Sequence, residues 1–406
     1  MKKGEQFIFF DNINTTFPDP EVVDIINKTL TARLGNPSSH VHSAGIAAAA
    51  VIDTAREKVS SLIGAGNGTI TFTSGATESN NLAISGFLRA NSRFQFAFPP
   101  VEHFSVINQA FELRKSGVKV RNIEIDSTGI VDLNCLERTI SEQRTLVSIA
   151  FANPEIGTTQ DMPAISEICR QHGAVLHCDC TAAAGLMEIN ASEMGIGLLT
   201  LSGHNLYGPA GVGALFIADD VKIAPLFFGG NQEGGLRPGM ENVPGIAGMG
   251  EACRIAKDGI ESYRDYLRKL GRKLWDGLAD SVRFLHFTGH EEKRLPGHVS
   301  FWVEHVEGES LLLLLNMNGI MASSGSACSS NLKGKDESEL VASHVLTAVG
   351  VPTYICAGSI TFSMGKNNTK EEVDRVLETM PRIVERLLEM SPSYEDYKKG
   401  KETHHG

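Results

Sequence analysis

The chain has 406 residues, of which 42% are apolar, and its formal net charge is −11. This length and composition predict a globular protein with a substantial core and enough residues for two domains. The charged residues form no long basic stripe, which argues against nucleic-acid binding and favours a small molecule or a protein as the partner.

The N-terminal region predicts neither an export signal nor a membrane span. The apolar run before Asp11 has only four residues, 7–10, and is too short for either. We therefore expect a cytoplasmic protein with no membrane partner. The seven cysteines lack the paired spacing of a disulfide scaffold or a zinc ribbon, so reduced thiols are predicted.

Helical and strand patterns alternate along the first half of the chain. After a helical segment over 53–65, strand patterns at TITFTSG, QFAF, KVRNIEI, LVSIAFAN, AVLHCDC, LLTLSGH and GALFIAD are mostly separated by helical patterns. Such alternation predicts an α/β protein with a mostly parallel sheet wrapped by helices.

The pattern changes after Pro244, and this change predicts a second domain. A long helical stretch precedes two strand patterns, VRFLHFTG and HVSFWVEH, and a final helical pattern that begins at Glu371. We expect a large domain over 16–260 and a smaller C-terminal α/β domain over 261–392 that also takes residues 1–15. Residues 393–406 are expected to form a flexible tail.

A turn over residues 74–80, Ser-Gly-Ala-Thr-Glu-Ser-Asn, lies between a strand pattern and an apolar helix start. Free backbone N–H groups and the positive end of the helix dipole hold phosphate at such a turn. Taken alone, the segment is equally compatible with ordinary turn chemistry.

Eight segments in a fixed order carry a more specific signal. They are Asp11-Asn12, Gly35-Asn36-Pro37-Ser38-Ser39, Val101-Glu102-His103, Glu155-Ile156-Gly157-Thr158, His177-Cys178-Asp179, Ser202-Gly203-His204 with Tyr207-Gly208-Pro209, Gly308-Glu309-Ser310, and Ser324-Gly325-Ser326-Ala327-Cys328-Ser329-Ser330. Together they closely resemble the cysteine desulfurases of iron–sulfur assembly, over nearly the whole chain.

The resemblance implies a fold-type I (aspartate-aminotransferase-like) pyridoxal-phosphate (PLP) enzyme that forms a homodimer. It implies that His103 stacks on the cofactor ring and that Asp179 pairs with the ring nitrogen. The remaining cofactor-binding residues that it implies are Ala76, Thr77, Ser202, His204 and the residue at position 205.

The chain departs from the family pattern at the position of the lysine that forms the Schiff base with the cofactor, which is Asn205 here. An amide is neither nucleophilic nor a usable base, so lysine-dependent catalysis is predicted to be lost or replaced. Four further departures are Pro154, Ala182, Thr361 in place of the carboxylate-clamping arginine, and Met240. The cofactor is therefore expected to be absent or bound without a covalent link.

Cys328 matches the family's persulfide-carrying cysteine and lies in a segment rich in Ser and Gly. One hypothesis makes Cys328 a sulfur carrier, or a thiolate ligand of an iron–sulfur cluster on a scaffold or sulfur-acceptor partner. A second hypothesis is a working enzyme that holds PLP or its amine form non-covalently, which would explain why Asp179 is kept. A third is a non-catalytic subunit that binds an assembly scaffold or regulates a true desulfurase.

Overall fold

The computed structural model describes residues 7–324, 343–352 and 359–400. Within these ranges the strands are β1 (Ile8–Phe9), β2 (Thr69–Thr73), β3 (Gln95–Phe98), β4 (Val120–Asn122), β5 (Thr145–Ala150), β6 (Val175–Asp179), β7 (Leu198–Ser202), β8 (Gly213–Ile217), β9 (Leu285–Phe287), β10 (His298–Val303), β11 (Ile320–Met321) and β12 (Ile360–Ser363).

The helices follow the same chain order. They are α1 (Pro20–Thr31), α2 (Ser43–Ile63), α3 (Ala76–Asn81), α4 (Phe87–Ala90), α5 (Phe104–Lys115), α6 (Leu133–Ser141), α7 (Met162–Gln171), α8 (Val243–Ser281), α9 (Gly308–Met317), α10 (His344–Ala348), α11 (Lys370–Met390) and α12 (Pro392–Lys398). A π-helical turn over Leu82–Gly86 joins α3 to α4.

The largest sheet has seven strands in the order β2-β8-β7-β6-β5-β3-β4. All of them run in the same direction except β8, which is antiparallel to both of its neighbours. Strand β8 follows β7 after a short loop, and a loop of that length returns the chain only in the opposite direction. The predicted α/β fold with a mostly parallel sheet is confirmed.

Except for the edge strand β4, the strands of this sheet are largely apolar and buried because helices cover both faces. Strand β3 is buried at all four positions, and β7 and β8 at all five. The covering helices present a single apolar stripe, as in α6, which buries Cys135, Leu136 and Ile140.

A second group of elements surrounds the antiparallel sheet β12-β10-β9 and the short parallel pair β1-β11. Its core includes three fully buried aromatic side chains: Phe362 lies 5.8 Å from Phe10 and 5.6 Å from Phe301 between ring centroids. Helix α11 covers this core and begins with a capping box in which Thr369 is the N-cap.

Helix α8 is a single helix of 39 residues that reaches both cores. Its residues up to Ala256 pack in the core of the large sheet, and those from Leu267 onward pack in the core of the small sheet. The boundary expected at residue 260 therefore falls inside a continuous helix, and the two-domain division stays a prediction.

The C-terminal residues differ from the expected flexible tail. Pro392–Lys398 forms α12, which is capped by the Ser391 hydroxyl, and Tyr394 packs against the core of the small sheet. A proline at the first helical position and a serine N-cap favour helix formation here. In the described part of the chain, no helix is both long and apolar enough to cross a membrane.

Candidate functional site

The predicted cofactor residues lie at one edge of the large sheet. Thr77 follows β2, His103 follows β3, and Asp179 and Ser202 are the last residues of β6 and β7. These strands are parallel, so their carboxyl ends meet at the same edge, which is where ligands bind in open α/β sheets.

Asp179 is buried and held by two donors. Asn80 Nδ2 donates to its Oδ2 at 2.8 Å, and the Thr181 backbone N–H donates to its Oδ1 at 2.9 Å. The first contact ties the end of β6 to α3, the helix that begins with Ala76 and Thr77. The carboxylate is thus fixed in position by the protein itself.

His103 is the N-cap of α5. Its Nδ1 accepts from the Ser105 backbone N–H at 3.1 Å and lies 2.8 Å from the Ser105 hydroxyl. Ser105 Oγ also accepts from Asn80 Nδ2 at 2.8 Å. Hydrogen bonds therefore connect Asp179 to His103 through two residues that the sequence did not single out for a role.

The turn before α3 has open space and a partly used set of donors. Gly75 has φ +152°, and a Cβ there would meet no atom within 4 Å. The Ser74 N–H, however, donates to Glu78 Oε2 at 2.8 Å, and Glu78 Oε1 accepts from Arg237 Nε at 3.0 Å. The Gly75 N–H donates to Thr73 Oγ1 at 3.3 Å, so an anion at this turn would rely on the N–H groups that follow Gly75.

Ser202 is 1% exposed, and its buried hydroxyl oxygen has no hydrogen-bond partner among the described residues. Such an orphaned group is costly unless a ligand satisfies it. The next candidate, His204, lies in a 3₁₀ turn over Gly203–Asn205, and burial lowers the pKa of its side chain. Ser202 and Asp179 fit the phosphate and ring-nitrogen ends of PLP.

Asn205 offers no amine to the other end of the cofactor. Its Nδ2 donates to the Ile13 backbone carbonyl at 2.8 Å, which leaves Oδ1 buried and without a partner in the described part of the chain. Asp179 and Ser202 are thus compatible with the ring nitrogen and the phosphate of PLP, and an amide at position 205 does not form a Schiff base with an aldehyde.

Two of the four further departures make hydrogen bonds within the fold. The Pro154 carbonyl accepts from His298 Nε2 at 2.9 Å, and Thr361 Oγ1 donates to the Glu155 carbonyl at 3.0 Å. Lys366, the next basic position after Thr361, forms an ion pair with Asp19. Its charge is thus already compensated.

A cavity beside His103 is lined by Pro154, Glu155 and Thr361, and its described lining contains no Lys or Arg. Burial raises the pKa of Glu155 to about 7. Burial raises the pKa of Glu102, which also lines the cavity, to about 8, with the nearby charge of Asp179 as a further cause. In the sequence these two glutamates were recognised only as members of family motifs. Their burial depends on the tertiary structure, which a local pattern does not reveal.

Cys328 lies outside the described residues. Cys178 and Cys180, which flank Asp179, are fully buried with their sulfur atoms 3.5 Å apart, and burial raises the pKa of the Cys178 thiol. Both are therefore inert core residues. No group of three or more metal-binding side chains occurs in the ranges that the structure describes.

Comparison with known proteins agrees with the fold and the motifs. The aminotransferase class-V family profile matches residues 8–376. The cysteine desulfurase IscS 1 of Archaeoglobus fulgidus is 45% identical over 95% of this chain and 99% of its own length. The cysteine desulfurase IscS of Methanosarcina thermophila is 43% identical over 95% of this chain and 94% of its own length.

Solved structures give the same result. A NifS-like protein superposes with a TM-score of 0.84 at 32% identity and covers 94% of this chain and 100% of its own. The apo cysteine desulfurase of Thermococcus onnurineus NA1 superposes with a TM-score of 0.83 at 25% identity, over 94% of this chain and 95% of its own. The chain therefore belongs to the aminotransferase class-V family and, within it, to the cysteine desulfurases.

Proposed function

We propose that this chain is a cysteine-desulfurase-like protein of sulfur or iron–sulfur metabolism in which lysine-dependent PLP catalysis is lost or replaced. Cys328 is its working group, either as a sulfur carrier or as a ligand of an iron–sulfur cluster. The single observation that carries the proposal concerns Asn205. Its side-chain nitrogen is an amide nitrogen and already donates a hydrogen bond to the Ile13 carbonyl.

The chemistry of the amide excludes both duties of the family's lysine. An amide nitrogen has no available lone pair, so Asn205 neither forms a Schiff base nor moves a proton between substrate atoms. The described lining of the cavity beside His103 also contains no Lys or Arg, so the carboxylate of an amino-acid substrate has no Lys or Arg to pair with there.

Transfer to Cys328 needs no Schiff base. The Cys328 thiolate attacks the outer sulfur of a donor persulfide, a new S–S bond forms to Cys328, and the donor's S–S bond breaks with its thiolate as the leaving group. The sulfur donor is then another protein, and the acceptor is an iron–sulfur scaffold or other sulfur-accepting protein. We expect the chain to act as a homodimer.

A second candidate is an enzyme that holds PLP or its amine form without a covalent link. The prearranged Asp179 and the orphaned Ser202 hydroxyl favour it. PLP, when bound, supplies an electron sink. In this chain Asp179 would hold the ring nitrogen, His103 the ring face, and Ala76, Thr77, Ser202 and His204 the phosphate, with Asn205 on the aldehyde side.

The test loads the protein with sulfur and counts what Cys328 gains. Wild type, Cys328→Ser and the control Cys135→Ser are incubated with an active cysteine desulfurase and L-cysteine, and intact masses are measured without reductant. We expect one sulfur atom or more to be added to wild type and Cys135→Ser and none to Cys328→Ser. In parallel, iron and acid-labile sulfide are measured after co-expression with a scaffold protein.

The outcomes separate the candidates. Equal loading of Cys328→Ser and wild type, in both sulfur and cluster content, rules out a role for Cys328. An absorption spectrum of the freshly purified protein, with and without added PLP, decides the second candidate. A chromophore that is released intact on denaturation supports non-covalent PLP, and a protein that is purified without a chromophore and gains no bound chromophore on addition of PLP contradicts it.

A further inference from the structure

A hydrogen-bonded chain links the two cofactor-facing side chains that the site retains. It runs from Asp179 Oδ2 to Asn80 Nδ2 at 2.8 Å, then to Ser105 Oγ at 2.8 Å, and then to His103 Nδ1 at 2.8 Å. Asn80 is fully buried, and Ser105 and Asp179 are each 8% exposed, so water competes little for these contacts.

The direction of each hydrogen bond follows from chemistry. A carboxylate only accepts, so Asn80 must turn its NH₂ group, not its oxygen, toward Asp179. The second hydrogen of that NH₂ group then points to Ser105 Oγ. Because Ser105 Oγ accepts from Asn80, its own hydrogen is left for His103 Nδ1.

The helix N-cap adds a second donor at the same atom. The Ser105 backbone N–H also points at His103 Nδ1, at 3.1 Å. Two donors that converge on Nδ1 require a lone pair there, so neutral His103 carries its proton on Nε2. His103 Nε2 is then the nitrogen left for a ligand, and in the neutral ring it acts only as a donor.

We propose that Asn80 and Ser105 are positioning residues that hold Asp179 and His103 as one hydrogen-bonded unit with the His103 proton on Nε2. The unit fixes the positions of the Asp179 carboxylate and the His103 imidazole before any ligand binds. A ligand atom beside His103 Nε2 must therefore be a hydrogen-bond acceptor. The claim that this unit contacts PLP rests on the proposed function. The His103 tautomer follows from the hydrogen bonds alone and does not rest on it.

Three variants and a matched control test the unit. Ser105→Ala removes the hydroxyl link and keeps the backbone donor, Ser105→Thr keeps both, and Asn80→Ala removes the donor to Asp179. Ser85→Ala serves as the control because Ser85 donates to Gln109 Oε1 at 2.7 Å, joining the π-helical turn to α5 without touching His103. The probe is ¹⁵N-histidine NMR of the full-length protein without added PLP, with signals assigned by His103→Gln.

The expected spectrum of wild type has a protonated Nε2 and an unprotonated, hydrogen-bonded Nδ1. Ser105→Ala should move the Nδ1 signal toward that of a less hydrogen-bonded nitrogen or populate the other tautomer, and Ser105→Thr and Ser85→Ala should match wild type. A protonated Nδ1 in neutral wild-type His103, or a Ser105→Ala spectrum identical to that of wild type, overturns the proposal.

PLP titration followed by absorption supplies a second readout. Loss of the donor to the Asp179 carboxylate in Asn80→Ala should weaken PLP binding about tenfold, the size expected for a hydrogen bond to a charged group. Ser85→Ala should bind PLP as wild type does, and equal affinity in Asn80→Ala contradicts the role given to Asn80. If wild type binds no PLP, the cofactor part of the second candidate function fails, and the tautomer measurement still decides the proposal. If Asn80→Ala does not fold, Ser105→Ala decides it.

Discussion

Replacing Glu102 with glutamine removes a carboxyl group that is costly to ionise. Glu102 is 2% exposed, its Oε1 accepts from the Ala150 N–H at 2.8 Å, and its Oε2 has no partner among the described residues. Burial, with the charge of Asp179 as a lesser cause, raises the pKa of Glu102 from 4.5 to about 8. Glutamine keeps the shape and the acceptor for Ala150 while removing the ionisation.

The direction of the stability change follows from the linkage between protonation and folding. A carboxyl group with a raised folded-state pKa is fully compatible with the fold below the unfolded pKa and destabilises it as the pH rises toward the folded pKa. At 1.36 kcal/mol per pKa unit, the rise from 4.5 to about 8 amounts to about 5 kcal/mol. Glu102→Gln should therefore gain stability relative to wild type by up to about 5 kcal/mol between about pH 4.5 and about pH 8.

The assay compares the thermal unfolding of wild type, Glu102→Gln and the exposed control Glu142→Gln across this pH range. The difference between Glu102→Gln and wild type should grow with pH and level off near the folded-state pKa. Titrating groups that do not interact with Glu102 are common to both proteins, so their contributions cancel in this difference. A difference that stays constant with pH would refute the reasoning, since it would mean that Glu102 ionises in the folded protein as easily as in the unfolded chain.

Three further changes have expected outcomes. Asn205→Lys alone should not restore sulfide release from L-cysteine, because Thr361 provides no cation for the substrate carboxylate; sulfide release well above that of the unmodified chain would contradict this. Gly157→Ala should destabilise the protein by more than about 1 kcal/mol in thermal denaturation, because Gly157 has φ +75° and an added Cβ would lie 2.4 Å from His298 Nδ1; an unchanged melting temperature would contradict the packing described here. Thr369→Ala should cost about 1 kcal/mol by the same measurement because α11 loses its capping box, and wild-type stability would show that the cap is dispensable.

The sequence predicted the large sheet well because most of its strands, though not the edge strand β4, are buried on both faces. The apolar run of β5 and the alternation of β2 stand out between helical patterns, and the two strands lie where they were expected. The antiparallel direction of β8 was not predicted. Strand direction depends on the length and path of the preceding loop, which a periodicity pattern does not encode.

Only those site residues that belong to a recognisable sequence motif could be predicted. Asp179 and His103 were found because each belongs to a recognisable segment. Ser105 gave no signal, because its role depends on Asn80 approaching from a helix 25 positions earlier in the chain. The raised pKa of Glu102 is likewise invisible in the sequence, because it arises from burial and from the distant residue Asp179.

Helix α8 is a single element that contributes side chains to both cores. Between Ala256, the last residue packed in the first core, and Leu267, the first in the second, only residues 257–266 span the gap, which is about 15 Å at 1.5 Å per residue. Gly259 lies in this stretch, where its backbone entropy makes the helix less rigid than alanine would. Tyr266 in the same stretch donates to the Asn368 carbonyl at 2.8 Å, so a change in the angle between the two cores would have to bend this helix and also break that contact.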